Sequence, residues 1–302
     1  MNNLIVRIAE GLGNQLFMYA TAFALSKKIN YNLLIDNESA YFKKKNIKNY
    51  QLHNFNISTN ICEDKLKFNS YIKDFKRKFL ILSNSFKKEK NFLLEKKDNF
   101  KKTKYFDLTN NSFSKILFIE GHYETEKYFK DYKDQLKLEF SLKNLDLYKK
   151  NRYSELIKRN PNIVSICIRQ NRYSERINNR FNKDNIITSE NFTKKTIDYI
   201  FRAVTYIDNK FDNIKYLVWS NDFKDLRNYF PENKFMFIDN LENKSLNDFY
   251  LLLNCKNFIV GPTSFHWWPA WLNSNQNSLI LRPKDLNASN NHDFWPANWL
   301  AI

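Results

Sequence analysis

Short apolar runs alternate with longer amphipathic stretches along most of the chain, and this alternation predicts an α/β fold. The run Leu4–Ile8 is followed by a glycine loop, a helix over residues 15–28 and a second strand at Tyr31–Ile35, which is the pattern of a βαβ unit. After residue 160, further apolar runs alternate with helical segments. We therefore expect parallel sheets covered by helices, with ligands bound at the carboxyl ends of the strands.

The chain is long enough, at 302 residues, for two domains of ordinary size. A charged stretch over residues 131–160, which is predicted to be helical, ends at Pro161, and all six prolines lie at or after that position. We place the domain boundary between residues 145 and 160. This predicts an N-terminal α/β domain over residues 1–150 and a C-terminal Rossmann-like domain over residues 151–302.

Residues 65–104 form a basic insertion in the first domain, with 14 Lys and Arg against 4 Asp and Glu. Apolar side chains recur in this insertion at intervals of four and three residues, which predicts a helix with one apolar face. They are Phe68, Ile72, Phe75, Phe79, Leu82 and Phe86. Two interpretations remain open. The helix packs this face against its own domain, or the face rests on an anionic membrane as that of an interfacial helix.

Charge and composition restrict the classes of partner. The net charge is +17, from 49 Lys and Arg against 32 Asp and Glu, and it favours nucleic acid, acidic lipid or phosphorylated metabolites. We expect a cytoplasmic protein, because no apolar run is long enough for a transmembrane helix or a signal peptide. The three cysteines are scattered and the four histidines are not paired at ligand spacing, so neither a disulfide framework nor a metal site is predicted.

Two of the four glycines, Gly11 and Gly13, lie in the loop between the first strand and the first helix. Without side chains, this loop lets a ligand approach the backbone, and the helix start offers N–H groups that suit a phosphate. The loop lacks the lysine of a P-loop and the third glycine of a dinucleotide fingerprint. A tight strand-to-helix turn without a ligand explains the same pattern, and both interpretations stay open.

Polar side chains also follow the strands of the second half. Arg169 comes directly after the run at residues 164–168, with Arg172 and Arg176 close behind. A guanidinium there can bind a phosphate through two parallel hydrogen bonds, although a surface arginine ending a strand has the same pattern. Asp222 follows the next strand. It can accept from a base N–H or a sugar hydroxyl, or cap the next helix.

The segment Gly261–Trp271 is the most unusual in composition. Thr263 and Ser264 begin a predicted helix directly after a strand, which gives a second helix N-terminus suited to an anion. The three tryptophans that follow are predicted to be mostly core, with stacking on a base or a sugar as the alternative.

Taken in order, these motifs resemble those of the α-1,2-fucosyltransferase family, of which the chain would be a divergent member. The matching segments are Glu10–Ala20, Tyr50–Phe55, Gly121–Phe129, Ile166–Tyr173, Ser220–Asp222, Cys255–Asn273, Arg282–Pro283 and Trp295–Trp299. The resemblance covers nearly the whole chain. It implies a GT-B-like fold, with two Rossmann-like domains facing across a cleft, and an inverting transfer of L-fucose from GDP-fucose to a glycan hydroxyl without a metal or other cofactor.

The same resemblance implies roles for the candidate residues. Arg169 would hold the β-phosphate, with Arg172 adding charge, and Asp222 would pair with guanine. Asn14 would reach the reacting centre from the loop that contains Gly11 and Gly13. The diphosphate would lie against the start of the predicted helix, whose residues are Thr263, Ser264, Phe265 and His266.

The chain departs from the family pattern at several of these positions. Cys167 stands where the family has histidine, Gln170 where it has a second arginine, and Glu10 where it has glycine. The first two changes alter hydrogen bonding and fixed charge beside Arg169, so a different nucleotide sugar is an alternative donor. Glu10 is a candidate catalytic base, with Asp248, Glu124 and Glu126 as alternatives.

The predicted function is therefore a glycosyltransferase for a bacterial surface polysaccharide or lipooligosaccharide. Its acceptor would be a glycan, which the basic amphipathic segment suggests is lipid-linked, and the enzyme would lie in the cytoplasm, peripherally on the inner membrane. Two rival functions fit parts of the sequence. One is a basic nucleic-acid-binding protein, although no such motif occurs and no nucleic-acid partner is expected. The other is an inactive sugar-binding relative.

Overall fold

The computed structural model divides the chain into two compact units. It describes residues 1–43, 50–98, 102–175, 181–240, 244–275, 277–287, 289 and 291–302. Unit 1 comprises Met1–Lys143 and Ser289–Pro296, and unit 2 comprises Asn144–Ala288 and Ala297–Ile302. Each unit contains its own parallel sheet, so the α/β architecture predicted from the sequence is confirmed. Arg176 lies outside the described residues.

Unit 1 is built around a five-stranded parallel sheet in the order β3-β2-β1-β5-β4, as far as its described residues show. The strands are β1 (Asn3–Arg7), β2 (Asn32–Asp36), β3 (Asn60–Ile61), β4 (Lys90–Leu94) and β5 (Phe113–Glu120). The chain builds outward from β1 to β2 and β3, and β5 then pairs with the opposite edge of β1. This reversal of strand order lies between β1 and β5, where open α/β sheets bind ligands.

The helices of unit 1 are α1 (Leu12–Ile29), α2 (Tyr71–Asn84) and α3 (Lys133–Glu139) among the described residues. Helix α1 is apolar on nearly all sides and is buried from Leu12 to Ser26 except at Asn14, as expected of a helix enclosed by its own unit. It ends at Asn30, which adopts a left-handed conformation with φ of 55° and so stops the helix.

Helix α2 contradicts the interpretation that its apolar face packs inside the unit. Phe68 precedes the helix and is buried in a cluster with Phe92 and Phe118. The rest of the apolar stripe is exposed, with side chains between 65% and 91% accessible. The basic insertion is also not helical throughout, because Lys90–Leu94 joins the sheet as β4.

Unit 2 is built around a six-stranded parallel sheet in the order β11-β10-β9-β6-β7-β8, again within its described residues. The strands are β6 (Ile163–Ile168), β7 (Lys215–Ser220), β8 (Phe235–Phe237), β9 (Asn257–Ile259), β10 (Ile280–Arg282) and β11 (Leu300–Ala301). The chain runs outward from β6 to β7 and β8, and β9 then pairs with the other edge of β6. The reversal of strand order in this sheet therefore lies between β6 and β9.

The described helices of unit 2 are mostly short. They are α4 (Leu145–Lys149), α5 (Ser154–Arg159), α6 (Lys183–Asp208), α7 (Leu226–Tyr229), α8 (Lys244–Leu253) and α9 (Ser264–Leu272). The long helix α6 packs Ile197, Ile200 and Val204 against the sheet core. The charged stretch over residues 131–160, predicted as helical, is instead divided into α3, α4 and α5. The backbone turns left-handed at Asn144, which separates α3 from α4.

Candidate functional site

Three segments meet at the carboxyl edge of the unit 2 sheet, because they follow strands that are direct neighbours. Arg169 follows β6, the Asn221–Asp222 turn follows β7, and Gly261–Ser264 follows β9. Strand β6 lies between the other two, with Ile166 paired to Ile259 and Ile168 paired to Ser220. The sequence-predicted residues of the second half are therefore brought together around the point where the strand order reverses.

Arg169 presents its guanidinium at this edge, held by one carboxylate. Its Nε donates to Oε2 of Glu175 at 3.3 Å, and its Nη2 donates to the other oxygen of the same carboxylate. Both side chains remain partly exposed to solvent. A guanidinium that can grip a carboxylate with two parallel hydrogen bonds can grip a phosphate in the same way. Glu175 thus orients the arginine fork at the sheet edge.

Gln170 and Asn221 fasten the loop after β6 to the loop after β7. The Gln170 backbone N–H donates to Oδ1 of Asn221 at 2.8 Å, and the Asn221 amide donates back to the Gln170 carbonyl at 3.1 Å. The side chain of Gln170 also donates to the carbonyls of Asp222 and Lys224, each at 2.8 Å. An amide can hold both carbonyls without adding charge, so Gln170 is a positioning residue for the Asp222 turn.

Asp222 stabilises its own turn rather than the helix that follows. Its Oδ1 accepts from the backbone N–H of Lys224 at 2.9 Å, which is the geometry of an Asx turn. The helix α7 begins later, and its N-cap residue is Asp225, with φ of 64°. The alternative role predicted for Asp222, capping that helix, is therefore wrong.

The segment after β9 is fixed by a buried histidine. Gly261 N–H donates to Nδ1 of His266 at 3.1 Å, and Nε2 of the same ring lies 3.1 Å from the Ser165 hydroxyl. These partners assign the hydrogen to Nε2. Burial lowers the pKa of His266 to about 3, so the ring is neutral at physiological pH. His266 therefore positions the loop, and its enclosed ring does not face solvent.

Helix α9 begins at the same place with a hydroxyl cap. Thr263 is the N-cap residue, and its Oγ1 accepts from the backbone N–H of His266 at 3.1 Å. Ser264 and Phe265 form the first turn and are partly exposed. The positive end of the helix dipole therefore faces the loop of Gly261, in the geometry that favours an anion.

Arg172 connects the loop after β6 to the loop after β9. Its Nη1 donates to the Pro262 carbonyl at 3.5 Å. The guanidinium lies 5.3 Å from the ring centre of Phe192 and 5.8 Å from that of Tyr173, distances suited to cation–π contacts. Two guanidinium groups thus belong to the same edge of the sheet as the start of α9.

The tryptophans of α9 are part of the core, as the sequence predicts. Trp267, Trp268 and Trp271 are all buried. The rings of Trp267 and Trp271 are stacked with centres 5.7 Å apart, and Trp299 approaches Trp267 at 5.6 Å. Because their faces are covered by one another, these tryptophans do not stack on a ligand.

In unit 1 the glycine loop occupies the corresponding place, after β1 and before α1. Glu10 has a φ of 62°, in the left-handed region that favours glycine. Gly11 is the N-cap residue of α1, and a Cβ atom added to it would have no neighbour within 4 Å. Gly13 is buried in the first turn and Asn14 is partly exposed. The protein itself leaves open space beside Gly11, which fits the approach of a ligand.

Gln15, which was not predicted as a site residue from the sequence, holds this loop. The side chain is fully buried. Its Nε2 donates to the Glu10 carbonyl at 2.9 Å and to the Tyr41 hydroxyl at 3.0 Å, and its Oε1 accepts from the Gln51 backbone at 2.8 Å. The first and second matching motifs are thus joined through one amide. The sequence signal for this role is that Gln15 is a polar residue near the start of a mostly apolar helix.

Two of the three alternative carboxylates are less accessible than Glu10, whereas Glu126 is partly exposed, as Glu10 is. Glu124 and Asp248 are both buried. Asp248 accepts a hydrogen bond from the Asn240 amide, and burial raises the pKa of its carboxyl to about 6. Its environment in α8 is that of an enclosed structural group. Across the described ranges, no group of three or more His, Cys, Asp and Glu side chains could hold a metal ion.

The chain has two parallel sheets, and an arginine and a helix start lie together at one sheet edge. This combination fits a nucleotide-sugar-dependent glycosyltransferase. Comparison with known proteins identifies the family. The chain belongs to glycosyl transferase family 11, whose model matches residues 3–302. It is 28% identical over 316 residues to an α-1,2-colitosyltransferase of Escherichia coli, covering 100% of this chain and 99% of the relative. It is 27% identical over 311 residues to the O-antigen biosynthesis glycosyltransferase WbnK of Escherichia coli, covering 94% and 95%.

Solved structures share the fold at low sequence identity. The fucosyltransferase NodZ from Bradyrhizobium superposes with a TM-score of 0.53 at 13% identity, covering 90% of this chain and 93% of NodZ. The NodZ α-1,6-fucosyltransferase co-crystallized with GDP gives a TM-score of 0.52 at 13% identity, covering 90% and 92%. Together with the two parallel sheets, these matches confirm the predicted GT-B-like class of fold.

Proposed function

We propose that this glycosyltransferase transfers L-fucose, or a closely related deoxy sugar, from a GDP-activated donor to a hydroxyl of a bacterial surface glycan, with inversion at the anomeric carbon. The observation that carries the proposal is the carboxyl edge of the unit 2 sheet. There Arg169, Arg172 and the start of α9 follow neighbouring strands around the reversal of strand order. All three features suit a diphosphate.

In the proposed reaction, the acceptor oxygen attacks the anomeric carbon from the side opposite the diphosphate. The bond from that carbon to the diphosphate oxygen breaks, and the GDP leaves with its electron pair. Arg169 and the first turn of α9, at Thr263 and Ser264, stabilise the charge that develops on the leaving group. Asp222 would receive the base of the nucleotide, and Asn14 would contact the reacting sugar.

The family relatives leave two donors to compare. One relative is an α-1,2-colitosyltransferase, and colitose is L-fucose without its 3-hydroxyl group. GDP-L-fucose and GDP-colitose therefore form the central pair of a donor panel, with UDP- and dTDP-sugars as controls. We expect hydrolysis or transfer with at least one GDP-sugar and little with the controls. Turnover confined to a UDP- or dTDP-sugar would contradict the nucleotide assignment, and no turnover with any donor would favour the inactive relative.

Glu10 is proposed as the base that accepts the proton of the acceptor hydroxyl, and its backbone offers a sharp test. Both Glu10→Gln and Glu10→Gly remove the carboxylate, whereas only Glu10→Gly relieves the left-handed conformation at φ of 62°. We expect both variants to lose activity by a factor of about 10² or more. Only Glu10→Gly is expected to gain thermal stability, since a non-glycine residue there costs about 1 kcal/mol.

The measurements for Glu10 are initial transfer rates across pH and melting temperatures of the wild type and the variants. Glu10→Asp, which retains a carboxylate on a shorter side chain, is the matched control and should keep part of the activity. If Glu10→Gln transferred sugar at the wild-type rate across the pH range, Glu10 would not be the base, and the loop would serve only in binding.

We also propose a lipid-linked acceptor and a peripheral position on the inner membrane. One relative is an O-antigen biosynthesis glycosyltransferase, and O-antigen is a surface glycan, which supports an acceptor of this class. The basic insertion of residues 65–104 gives unit 1 the charge to approach an acidic surface.

A further inference from the structure

Helix α2 of unit 1 exposes more large apolar side chains than any other described element. Its outward residues are Tyr71, Ile72, Phe75, Phe79 and Leu82, and Phe86 follows directly after the helix. All are at least 65% exposed. They recur at the three- and four-residue spacing of one helix face. Apolar patches of this kind mark surfaces that contact another phase or molecule.

The opposite face of α2 fixes the helix to the unit, so that the apolar stripe points away from it. Arg77 donates to both oxygens of Glu120, from Nε at 2.6 Å and from Nη2 at 2.5 Å. Leu80 and Ile81 pack against the Phe92 cluster. Because this face already has its polar and apolar partners, the helix cannot rotate to bury the stripe without losing them.

Charge borders the stripe on both sides. Lys76 and Lys78 lie at helical positions that flank Phe75 and Phe79 on either side, and both lysines are exposed. If two copies of this chain paired symmetrically through the stripe, these lysines would lie near the lysines of the other copy. Their repulsion opposes such a dimer. An anionic surface would instead attract them, while their aliphatic stems extend the apolar face.

The anchor of α2 also ties it to the carboxyl edge of the unit 1 sheet. Glu120 ends β5 and Arg7 ends β1, and the two strands are direct neighbours. An ion pair of 3.6 Å joins Arg7 to Glu120, which in turn holds Arg77 of α2. The helix is therefore tied to the same carboxyl edge of the sheet from which the loop of Gly11 projects.

We propose that α2 docks by its apolar stripe onto an anionic lipid bilayer, lying in the interface with Lys76 and Lys78 toward the acidic headgroups. This deepens the part of the proposed function that concerns a lipid-linked acceptor, because it brings the carboxyl edge of the unit 1 sheet to the membrane. No described helix is long and apolar enough to cross a bilayer, and the docked helix lies along the surface.

The test is flotation of the full chain with vesicles of phosphatidylcholine and phosphatidylglycerol, compared with phosphatidylcholine alone. The wild type is expected to float with the anionic vesicles at low salt and to be released as salt rises. The double variant Phe75→Ser/Phe79→Ser should lose about tenfold or more of the partitioning. Lys76→Gln/Lys78→Gln should lose about tenfold. All four side chains are largely exposed, so folding should be preserved.

Matched controls come from exposed positions of unit 2. Leu147 is 67% exposed in α4, and Leu147→Ser should float like the wild type. Lys149→Gln/Lys158→Gln removes two exposed lysines elsewhere and should have little effect beyond weaker long-range attraction. Sedimentation measurements on the same proteins report any self-association through the stripe.

Several results would overturn the docking proposal. They are equal flotation with neutral vesicles, flotation unaffected by the phenylalanine variant, and a stripe-dependent dimer that ignores vesicles. Because flotation needs neither donor nor acceptor, its failure is separable from failure of the glycosyltransferase proposal. Donor hydrolysis by the same preparations, without vesicles, should be unchanged in the α2 variants.

Discussion

Arg169→Ala is expected to lower donor turnover by a factor of about 10² to 10³, which is the usual effect of removing a charged donor from a developing anion. The reason is geometric. In the present structure the guanidinium fork is already shaped by a two-point contact with Glu175, and a diphosphate would present the same pair of oxygens. Initial rates of GDP-sugar hydrolysis or transfer at saturating donor measure the effect.

Arg169→Lys separates charge from geometry. Lysine keeps the positive charge but loses the planar fork, so we expect turnover between those of the wild type and the alanine variant. Arg159 provides the matched control, since it is also paired with a glutamate, at 3.3 Å to Glu155, on the surface of the same unit. Arg159→Ala should leave turnover unchanged. Rates near wild type in both Arg169 variants would exclude a role in holding the phosphate.

Glu175 gives the Arg169 contact a further consequence. The Glu175 carboxylate and an incoming diphosphate would compete for the same hydrogen bonds from the Arg169 guanidinium. Because both are negatively charged, the diphosphate would also repel the carboxylate. If Arg169 binds the diphosphate as proposed, Glu175 must move away or share the guanidinium. The sequence offered little signal for this residue, because a glutamate in a polar loop has the pattern of any solvated side chain.

The clustering of the candidate residues in unit 2 was predictable because strand ends are readable from the sequence. Apolar runs locate the strands, and Arg169, Asp222 and Thr263 come directly after three of them. Parallel pairing brings those ends to one edge. The strand order itself was not predictable in this way, since it depends on contacts between residues distant in the chain. The reversal between β6 and β9 emerges only from the pairing.

Side chains that act through hydrogen bonds were harder to foresee. Gln15 and Gln170 each hold neighbouring loops through amide contacts, and a single glutamine carries no periodic signal of its own. His266 was predicted as a donor contact from its motif, yet it is enclosed with both nitrogens occupied. Motif membership therefore did not distinguish a residue that touches a ligand from one that fixes the loop.

For the amphipathic helix α2, the sequence predicted the helix but not the environment of its apolar face. Its spacing correctly predicted a helix with one apolar face, but the same spacing is compatible with a core or with a membrane. Only the arrangement around it decides which face turns inward. Arg77 pairs with Glu120 on β5, and Leu80 and Ile81 pack against the Phe92 cluster. These long-range contacts turn the face opposite the apolar stripe toward the unit.

The chain has only four glycines, and Gly261 lies where a side chain would clash. We therefore expect Gly261→Ala to destabilise the protein by about 3 kcal/mol or more. A Cβ atom on Gly261 would lie 1.9 Å from the carbonyl oxygen of Cys167. That oxygen belongs to the backbone of β6, so neither side can give way without disturbing the sheet. For a unit of this size, the expected loss corresponds to roughly 10 °C in melting temperature. Thermal unfolding followed by circular dichroism measures it.

Gly11→Ala is the matched control, because an added Cβ has space at Gly11 but not at Gly261. Its φ of −86° is ordinary, and apart from Gly11 and its adjoining residues no atom lies within 4 Å of the added Cβ. We expect a stability change below about 1 kcal/mol, the scale of altering an N-cap residue. A melting temperature of Gly261→Ala equal to that of Gly11→Ala would contradict the close contact with Cys167. Reduced turnover in a stable Gly11→Ala protein would instead indicate that a ligand occupies the space beside that glycine.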